Sequence, residues 1–308
     1  MRRRTLVILA AVTALAGLGG CGDSGGGDAT PGAAPSSAAA YPVTVGAVTL
    51  DKRPERIISL SPTATEMLFA IGAGKQVVAV DDQSTFPPEA PKSALSGFKP
   101  NAEAIAAYNP DLVVISNDID KIAGALKALK IPVYLGAAAS TLDDSYRQLA
   151  DLGALTGHGA EAAAVVRQLT DDIAKLVKDL PPRPKKLTYY YELDPTLYTV
   201  TSKTFVGSLF AMAGLVNVAD AADRAGTGYP QLNAEALVKA NPDMIFLADT
   251  KCCQQSAATV RARAGWAGIT AVRTGQVVTL DDDIASRWGP RVVELVRSIV
   301  DAVAKAPA

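Results

Sequence analysis

The chain contains a single histidine, His158, in 308 residues. That scarcity excludes multi-histidine zinc sites and leaves no ready base for a Ser-His-Asp triad. His158 itself sits in Thr156-Gly157-His158-Gly159, a turn before a helical stretch, where a solvated imidazole is expected. Other chemical signatures are missing too. There is no G-x-S-x-G elbow and no Walker A loop. Gly72-Ala73-Gly74 lacks the third glycine of a dinucleotide fingerprint, and it ends a helical stretch instead of opening one, as a helix C-cap does. The formal charge is only −1, with no basic patch or stacking motif, which argues against nucleic-acid binding. Past the first residues, no apolar run is long enough to cross a membrane.

The amino terminus reads as a targeting segment. Arg2-Arg3-Arg4 is a charged n-region, and Thr5 to Leu18 is an apolar h-region too short to span a bilayer comfortably. Leu18-Gly19-Gly20-Cys21 resembles a bacterial lipobox, in which the cysteine is lipidated and becomes the first residue of the mature protein. An ordinary secretory signal that happens to contain a cysteine, or an uncleaved anchor, is the alternative. A twin-arginine signal fits the surrounding residues poorly. Gly22 to Ala40 is almost entirely Gly, Ser, Ala, Pro, Asp and Thr, a composition that buries little apolar surface and behaves as a flexible tether. Loss of Arg2, Arg3 and Arg4 with the signal takes the charge from −1 to −4. The expected product is extracytoplasmic, held to the cell membrane through Cys21 alone.

One short unit is written twice. Asn101-Ala102-Glu103-Ala104-Ile105 leads into Asn109-Pro110-Asp111-Leu112-Val113-Val114-Ile115, and Asn233-Ala234-Glu235-Ala236-Leu237 leads into Asn241-Pro242-Asp243-Met244-Ile245-Phe246-Leu247. The offset is 132 residues in both halves, from Glu103 to Glu235 and from Asp111 to Asp243. Asn suits an N-cap, because its side-chain oxygen accepts from a free N–H of the first turn. Glu then stands where the helix dipole favours a carboxylate. The helix stops before Pro, and an apolar run of strand length follows. Such a repeat predicts two lobes built alike, each presenting one Glu from a similar place.

The rest of the chain fits that plan. Val43 to Leu50 reads as a hairpin, Arg56 to Leu60 as a strand, and Ser61-Pro62 as the start of a helix running to Gly72. Val77 to Val80 and Pro132 to Leu135 are further strands, with a helix near Lys121 to Leu129 between. Asp143 to Leu180 reads as helical with a break at Gly157-His158-Gly159, its second part a rigid strut between lobes. Leu187 to Tyr191 and Gln276 to Leu280 are strands of the second lobe, where Ser208-Leu209-Phe210-Ala211-Met212-Ala213-Gly214 echoes Met67 to Gly72. A helix from Pro290 to Val303 closes the chain. The expected fold is α/β: two similar lobes, each a mostly parallel sheet flanked by helices, joined by one long helix. The boundaries are residues 1–21 for the signal, 22–42 for the tether, 43–155 and 183–308 for the lobes, and 156–182 for the connecting helix.

Arg56-Ile-Ile-Ser-Leu-Ser-Pro-Thr-Ala-Thr-Glu66 with Leu68-Phe69-Ala70, Phe86-Pro87-Pro88, both Asn-Ala-Glu units and the connecting helix resemble the substrate-binding lipoproteins of iron-complex and vitamin B12 ABC importers. The resemblance spans roughly residues 53 to 304. It implies two α/β lobes that hinge little. It also implies that Glu103 and Glu235 dock onto arginines of the two permease subunits, which work with their ATPase subunits. Charged rims of that kind set orientation and on-rate. First-turn glutamates that merely steady their helices are the plainer reading. Glu66, mid-helix, is taken as structural.

Ligands of open α/β sheets bind beyond the carboxyl ends of the strands. Those ends supply Phe86, Phe98, Asp118, Tyr198, Tyr229, Cys252, Cys253, Arg287 and Trp288 as candidate ligand contacts. Vitamin B12 binders of the resembled family carry aromatics at positions like those of Phe98 and Tyr229, so these two, with Phe86 and Trp288, are candidates to grip a large flat ligand. A single aromatic is more often core than platform. Arg287 is expected to reach polar groups of the ligand or to pair with a neighbouring Asp. Cys252-Cys253 is expected to form a vicinal disulfide, strained because adjacent α-carbons lie closer than the usual disulfide range. A thiol pair on a soft metal would be under-liganded without histidine. No catalytic residue, resident cofactor or metal site is expected, and the protein is expected to be monomeric. The ligand implied is a metal chelate, a corrinoid such as cobalamin ahead of a ferric siderophore or haem. Two other readings compete: an enzyme on the same two-lobed plan, and a surface lipoprotein that binds another protein. In the first reading the repeated unit marks the transporter-facing edge of each lobe, and its strand delivers Ser116–Asp118 and Asp249–Cys253 to the opposite, ligand-facing side.

Overall fold

A computed structural model describes residues 41–307. The signal, the lipobox Cys21 and the tether as far as Ala40 lie outside the described residues. The body opens with an antiparallel hairpin, β1 (Val43–Val45) and β2 (Val48–Leu50). Five strands follow in the first lobe: β3 (Ile57–Leu60), β4 (Val77–Asp81), β5 (Lys92–Leu95), β6 (Leu112–Ile115) and β7 (Val133–Leu135). They form one sheet in the order β5-β4-β3-β6-β7, every pairing parallel. The second lobe contributes β8 (Thr188–Glu192), β9 (Val216–Asn217), β10 (Met244–Leu247) and β11 (Val277–Thr279). Their order, β11-β10-β8-β9, is again wholly parallel. Matching β8 to β3, β9 to β4, β10 to β6 and β11 to β7 makes the two sheets the same, except that β5 has no counterpart.

The apolar runs that suggested buried strands are buried on both faces, as parallel sheets require. Ile57, Leu112 and Val114 enter one core cluster while Ile58, Val113 and Ile115 enter another. In the second lobe Tyr189, Tyr191, Met244 and Phe246 face one way, and Tyr190, Ile245 and Leu247 the other. This is the alternation of side chains along a strand.

The expected break falls where the sequence put it. One helix spans Leu142–Thr156 and ends at Gly157, whose φ of 76° is the left-handed conformation of a helix C-cap. The next spans Gly159–Lys178. Its Ala162 and Leu169 lie in a core cluster of the first lobe, whereas Ile173, Leu176 and Val177 belong to the second. One apolar face therefore seats in both cores, each fully buried aliphatic side chain contributing about 1.5–3 kcal/mol. Trp288 and Val293 also pack against both cores. His158 is not solvated. It is half-buried, with its ring within hydrogen-bond distance of Arg53 (2.7 Å) and Gln76 (3.1 Å). Among the described residues, no helix is long and apolar enough to cross a membrane.

Candidate functional site

Both sheets point the carboxyl ends of their strands toward loops that carry polar clusters. In the first lobe, Ser61 caps the helix Pro62–Ala70 by accepting from the Ala64 N–H, with Pro62 at the first helical position. Behind it, Thr65 bonds to Ser59 and to Ser84, each at 2.9 Å, and Ser84 donates to Asp81. All four are buried, and burial, opposed by the Ser84 bond, raises the Asp81 carboxyl above its ordinary value.

Glu66, on the same helix, faces the second lobe. Its Oε1 accepts from Arg287 Nη1 at 2.7 Å and Arg291 Nη2 at 2.6 Å, and its Oε2 accepts from Arg291 Nε at 2.9 Å. Arg287 also donates to the Gln83 carbonyl (3.1 Å) and to Asp283 (2.9 Å). The Arg291 guanidinium lies 4.3 Å above the Phe86 ring centroid. Trp288 donates from Nε1 to Gln148 at 2.9 Å, and its carbonyl accepts from Ser145. The segment from Asp283 to Arg291 is thus clasped to the first lobe by a buried carboxylate and two guanidinium groups.

In the second lobe the strands end in charge. Glu192, the last residue of β8, is fully buried and holds Arg263 with two bonds of 2.6 Å. Arg263 also binds Gln255 and stacks 4.5 Å over Trp266. Asp249, after β10, is fully buried, and neither carboxylate oxygen has a hydrogen-bond partner. Burial first, then the nearby Glu192, push its carboxyl up to about 7. The chain then turns through Thr250–Cys253. Asp282 holds that turn by accepting from the N–H groups of Thr250, Lys251 and Cys252 at 2.8, 2.8 and 3.0 Å.

Among the described residues, four aromatic side chains are exposed: Phe86 (41%), Phe98 (66%), Tyr198 (44%) and Tyr229 (54%). Each follows the carboxyl end of a strand, two in each lobe. Tyr198 and Tyr229 are brought together by the bridge between Tyr198 and Gln231 and by the Thr199 N–H bond to the Pro230 carbonyl.

The repeated units are equivalent in detail. Asn101 accepts from Ala104 N at 2.8 Å and Asn233 from Ala236 N at 2.7 Å, so each caps its helix as the sequence implied. Asn109 and Asn241 both adopt φ of 47°. Asp111 then accepts from the Glu55 and Arg56 N–H groups ahead of β3, and Asp243 from the Thr188 N–H that opens β8. Each unit therefore runs from the carboxyl ends of the strands back to their amino ends. This corrects one expectation. Glu103 and Glu235, both exposed, stand on the same side as the aromatic loops and not opposite them, because the helix antiparallel to its strand starts where the previous strand ended.

Residues 57–284 match the periplasmic binding protein family. The chain belongs to that family. Proteins of this family bind substrates for transport and are not enzymes. The chain is 30% identical, over 98% of both chains, to an uncharacterized ABC transporter substrate-binding lipoprotein, YvrC, of Bacillus subtilis. It is 31% identical to a cobalamin-binding protein of Halobacterium salinarum, over 86% of this chain and 75% of that one. The solved vitamin B12 binding protein BtuF of Vibrio cholerae aligns with a TM-score of 0.66 and 26% identity, covering 82% of this chain and 98% of that one. A possible iron-binding, periplasmic solute-binding protein of Staphylococcus epidermidis aligns with a TM-score of 0.71 and 26% identity, covering 82% and 100%.

Within this periplasmic binding protein, the nine candidate contacts divide. Phe86, Phe98, Tyr198 and Tyr229 stand exposed at the strand ends. Asp118 is exposed there too, but its Oδ1 already caps the helix Ile122–Ala128 by accepting from Ala123 N at 2.8 Å. Arg287, only 9% exposed, is engaged by Glu66, Gln83 and Asp283, and Trp288 packs into both cores. Both belong to the seam between the lobes. Cys252 and Cys253 are free thiols here, not a disulfide. Sequence reasoning missed Arg291, Glu192 and Arg263, and it placed Asp249 only within the ligand-facing stretch Asp249–Cys253, not as a buried carboxyl. The signal for Asp249 is that an acidic residue directly ends the apolar run Met244 to Ala248.

Proposed function

We propose that this protein is an extracytoplasmic lipoprotein, anchored through Cys21, that captures a metal-chelate ligand between its lobes and delivers it to an ABC importer permease. A corrinoid is the favoured ligand. The observation that carries the reading is that all four exposed aromatic side chains lie at the strand ends, two from each lobe. Flat faces offered from two sides suit a large flat ring system, and aromatic side chains bring contact area at low cost in conformational entropy. The relatives named for cobalamin and vitamin B12 support the choice. A strongly anionic ferric siderophore would call for free guanidinium groups, whereas Arg287 and Arg291 are both committed to Glu66. Glu103 and Glu235, on the aromatic side of each lobe, are the proposed permease contacts, so that the docked face is also the face from which ligand leaves.

Tryptophan fluorescence tests this directly, because Trp288 sits at the seam. Titration with cobalamin should give saturable, one-to-one quenching without turnover. If cobalamin, haem and ferric chelates all fail to quench at micromolar concentration, the receptor reading is lost.

A further inference from the structure

Of the four exposed aromatic rings, one is held. The Arg291 guanidinium lies 4.3 Å from the centroid of Phe86 and covers one face of its ring. Among the described residues, Phe98, Tyr198 and Tyr229 have no aromatic or cationic group stacked on them. The clamp on Phe86 comes from the other lobe. Arg291 stands at the start of the helix Val292–Lys305, whose Leu295, Val296, Ile299 and Val303 lie in the core of the second lobe. Its guanidinium is gripped along its edge by Glu66, Nε donating to Oε2 at 2.9 Å and Nη2 to Oε1 at 2.6 Å. Glu66 is only 3% exposed, so solvent and salt screen this pair little. A guanidinium offers its edge to a carboxylate and its face to a ring, so the two contacts reinforce each other.

Without Arg291 the ring has room to turn. Phe69, Ala70, Pro87 and Pro290 wall a recess of about 230 Å³ that Phe86 and Arg291 also line. A ring released by the guanidinium can swing into that space. Held as it is, it keeps one face covered and remains 41% exposed. Fixing a contact group in its bound orientation before the ligand arrives removes an ordering cost from binding. We infer that Arg291 is a positioning residue for ligand capture, acting through Phe86, which it presets as the platform of the first lobe. This rests on the receptor reading above. It also makes the seam part of the binding site, because the platform of one lobe is set by a side chain rooted in the other.

The test is equilibrium dialysis of the full chain against cobalamin, or against ferric haem or a ferric chelate if cobalamin does not bind. Four proteins are compared: wild type, Arg291→Ala, Phe86→Ala and the double variant. Arg291→Ala should weaken binding about ten-fold, or about 1.4 kcal/mol, and Phe86→Ala at least as much. Once Phe86 is gone, Arg291→Ala should change affinity by less than about two-fold, because it acts only through the ring. A seam that is merely loosened would lower affinity equally in both backgrounds. Thermal melting reads the stability of each variant separately. Arg291→Lys keeps a cation beside Glu66 and serves if Arg291→Ala melts too early; its smaller loss should likewise vanish with Phe86→Ala. Equal losses from Arg291→Ala with and without Phe86, or no loss from either single variant, overturn the positioning inference and leave the receptor reading standing. Failure of the wild type to bind any of the three chelates overturns both.

Discussion

The first lobe closes the ends of β3 and β4 with hydroxyl groups, whereas the second closes β8 and β10 with charge. Ser59, Thr65, Ser84 and Asp81 satisfy one another. Their counterparts are an ion pair, Glu192 with Arg263, and a buried carboxyl, Asp249, that lies near the Glu192 carboxylate and whose oxygens find no donor. The strand order and the capped repeat are the same in both lobes, so the duplicated scaffold does not dictate this difference. Buried polar groups in proteins are nearly always paired. Among the described residues, the second lobe leaves the oxygens of Asp249 without a donor, along with the Tyr190 and Thr201 hydroxyls and Arg183 Nε, and the first lobe leaves no such buried side-chain group. Between the lobes stands a third case, Glu66, a buried carboxylate with every oxygen engaged.

Glu66 gives the largest effect. Glu66→Ala would leave Arg287, 9% exposed, and Arg291 without their shared carboxylate. Removing one partner of a buried ion pair typically costs about 3–5 kcal/mol. Urea unfolding should show a loss of that size, with Glu66→Gln costing less because it keeps an acceptor. A loss under about 1 kcal/mol, the range of exposed pairs, would mean that Trp288 and the long helix hold the seam without the triad.

Asp249 should act in the opposite direction. Its carboxyl titrates higher in the folded protein, at about 7, than its ordinary value of 3.8. Between these values the folded state holds more protons than the unfolded chain, so stability falls as pH rises from about 4 to about 7. Asp249→Asn removes the titration and keeps the shape. It should flatten that fall and stabilise the protein at pH 8 by about 1–3 kcal/mol. The same substitution in the first lobe, Asp81→Asn, should change stability less, because burial raises Asp81 too but Ser84 donates to its oxygen, a bond that Asn can still accept. If both variants stabilise alike at pH 8, the contrast between the lobes is broken.

Much of this architecture was legible. The Asn caps, the apolar runs and the break at Gly157 are local chemistry, and each appears where the residues placed it. The short strands β5 and β9 were not legible. Lys92–Leu95 is largely exposed, and Val216–Asn217 is two residues long, so neither carries an apolar period to read. The seam was hidden for a different reason. Glu66 meets Arg287 and Arg291 across more than two hundred residues, and nothing in the spacing of either segment announces the other. Arg287 and Trp288 looked like lip residues because loops after strands carry ligand contacts. Only the partner on the opposite lobe showed that their polar groups were taken.

The repeated glutamates offer the smallest effect on the folded protein and the closest comparison. Glu103 and Glu235 are exposed, each in the first turn of an Asn-capped helix, where a carboxylate gains only a few tenths of a kcal/mol from the dipole. Glu103→Ala and Glu235→Ala should each shift stability by about that amount and leave ligand affinity unchanged. Their effect on uptake into cells or vesicles should be far larger if, as proposed, both glutamates dock the permease. Either single variant should weaken uptake to a similar degree, and the double variant should abolish it. Unequal single variants would show that the permease grips one lobe more than the other despite the matching units. A loss of ligand affinity in either would remove these residues from the docking face and return them to the cleft.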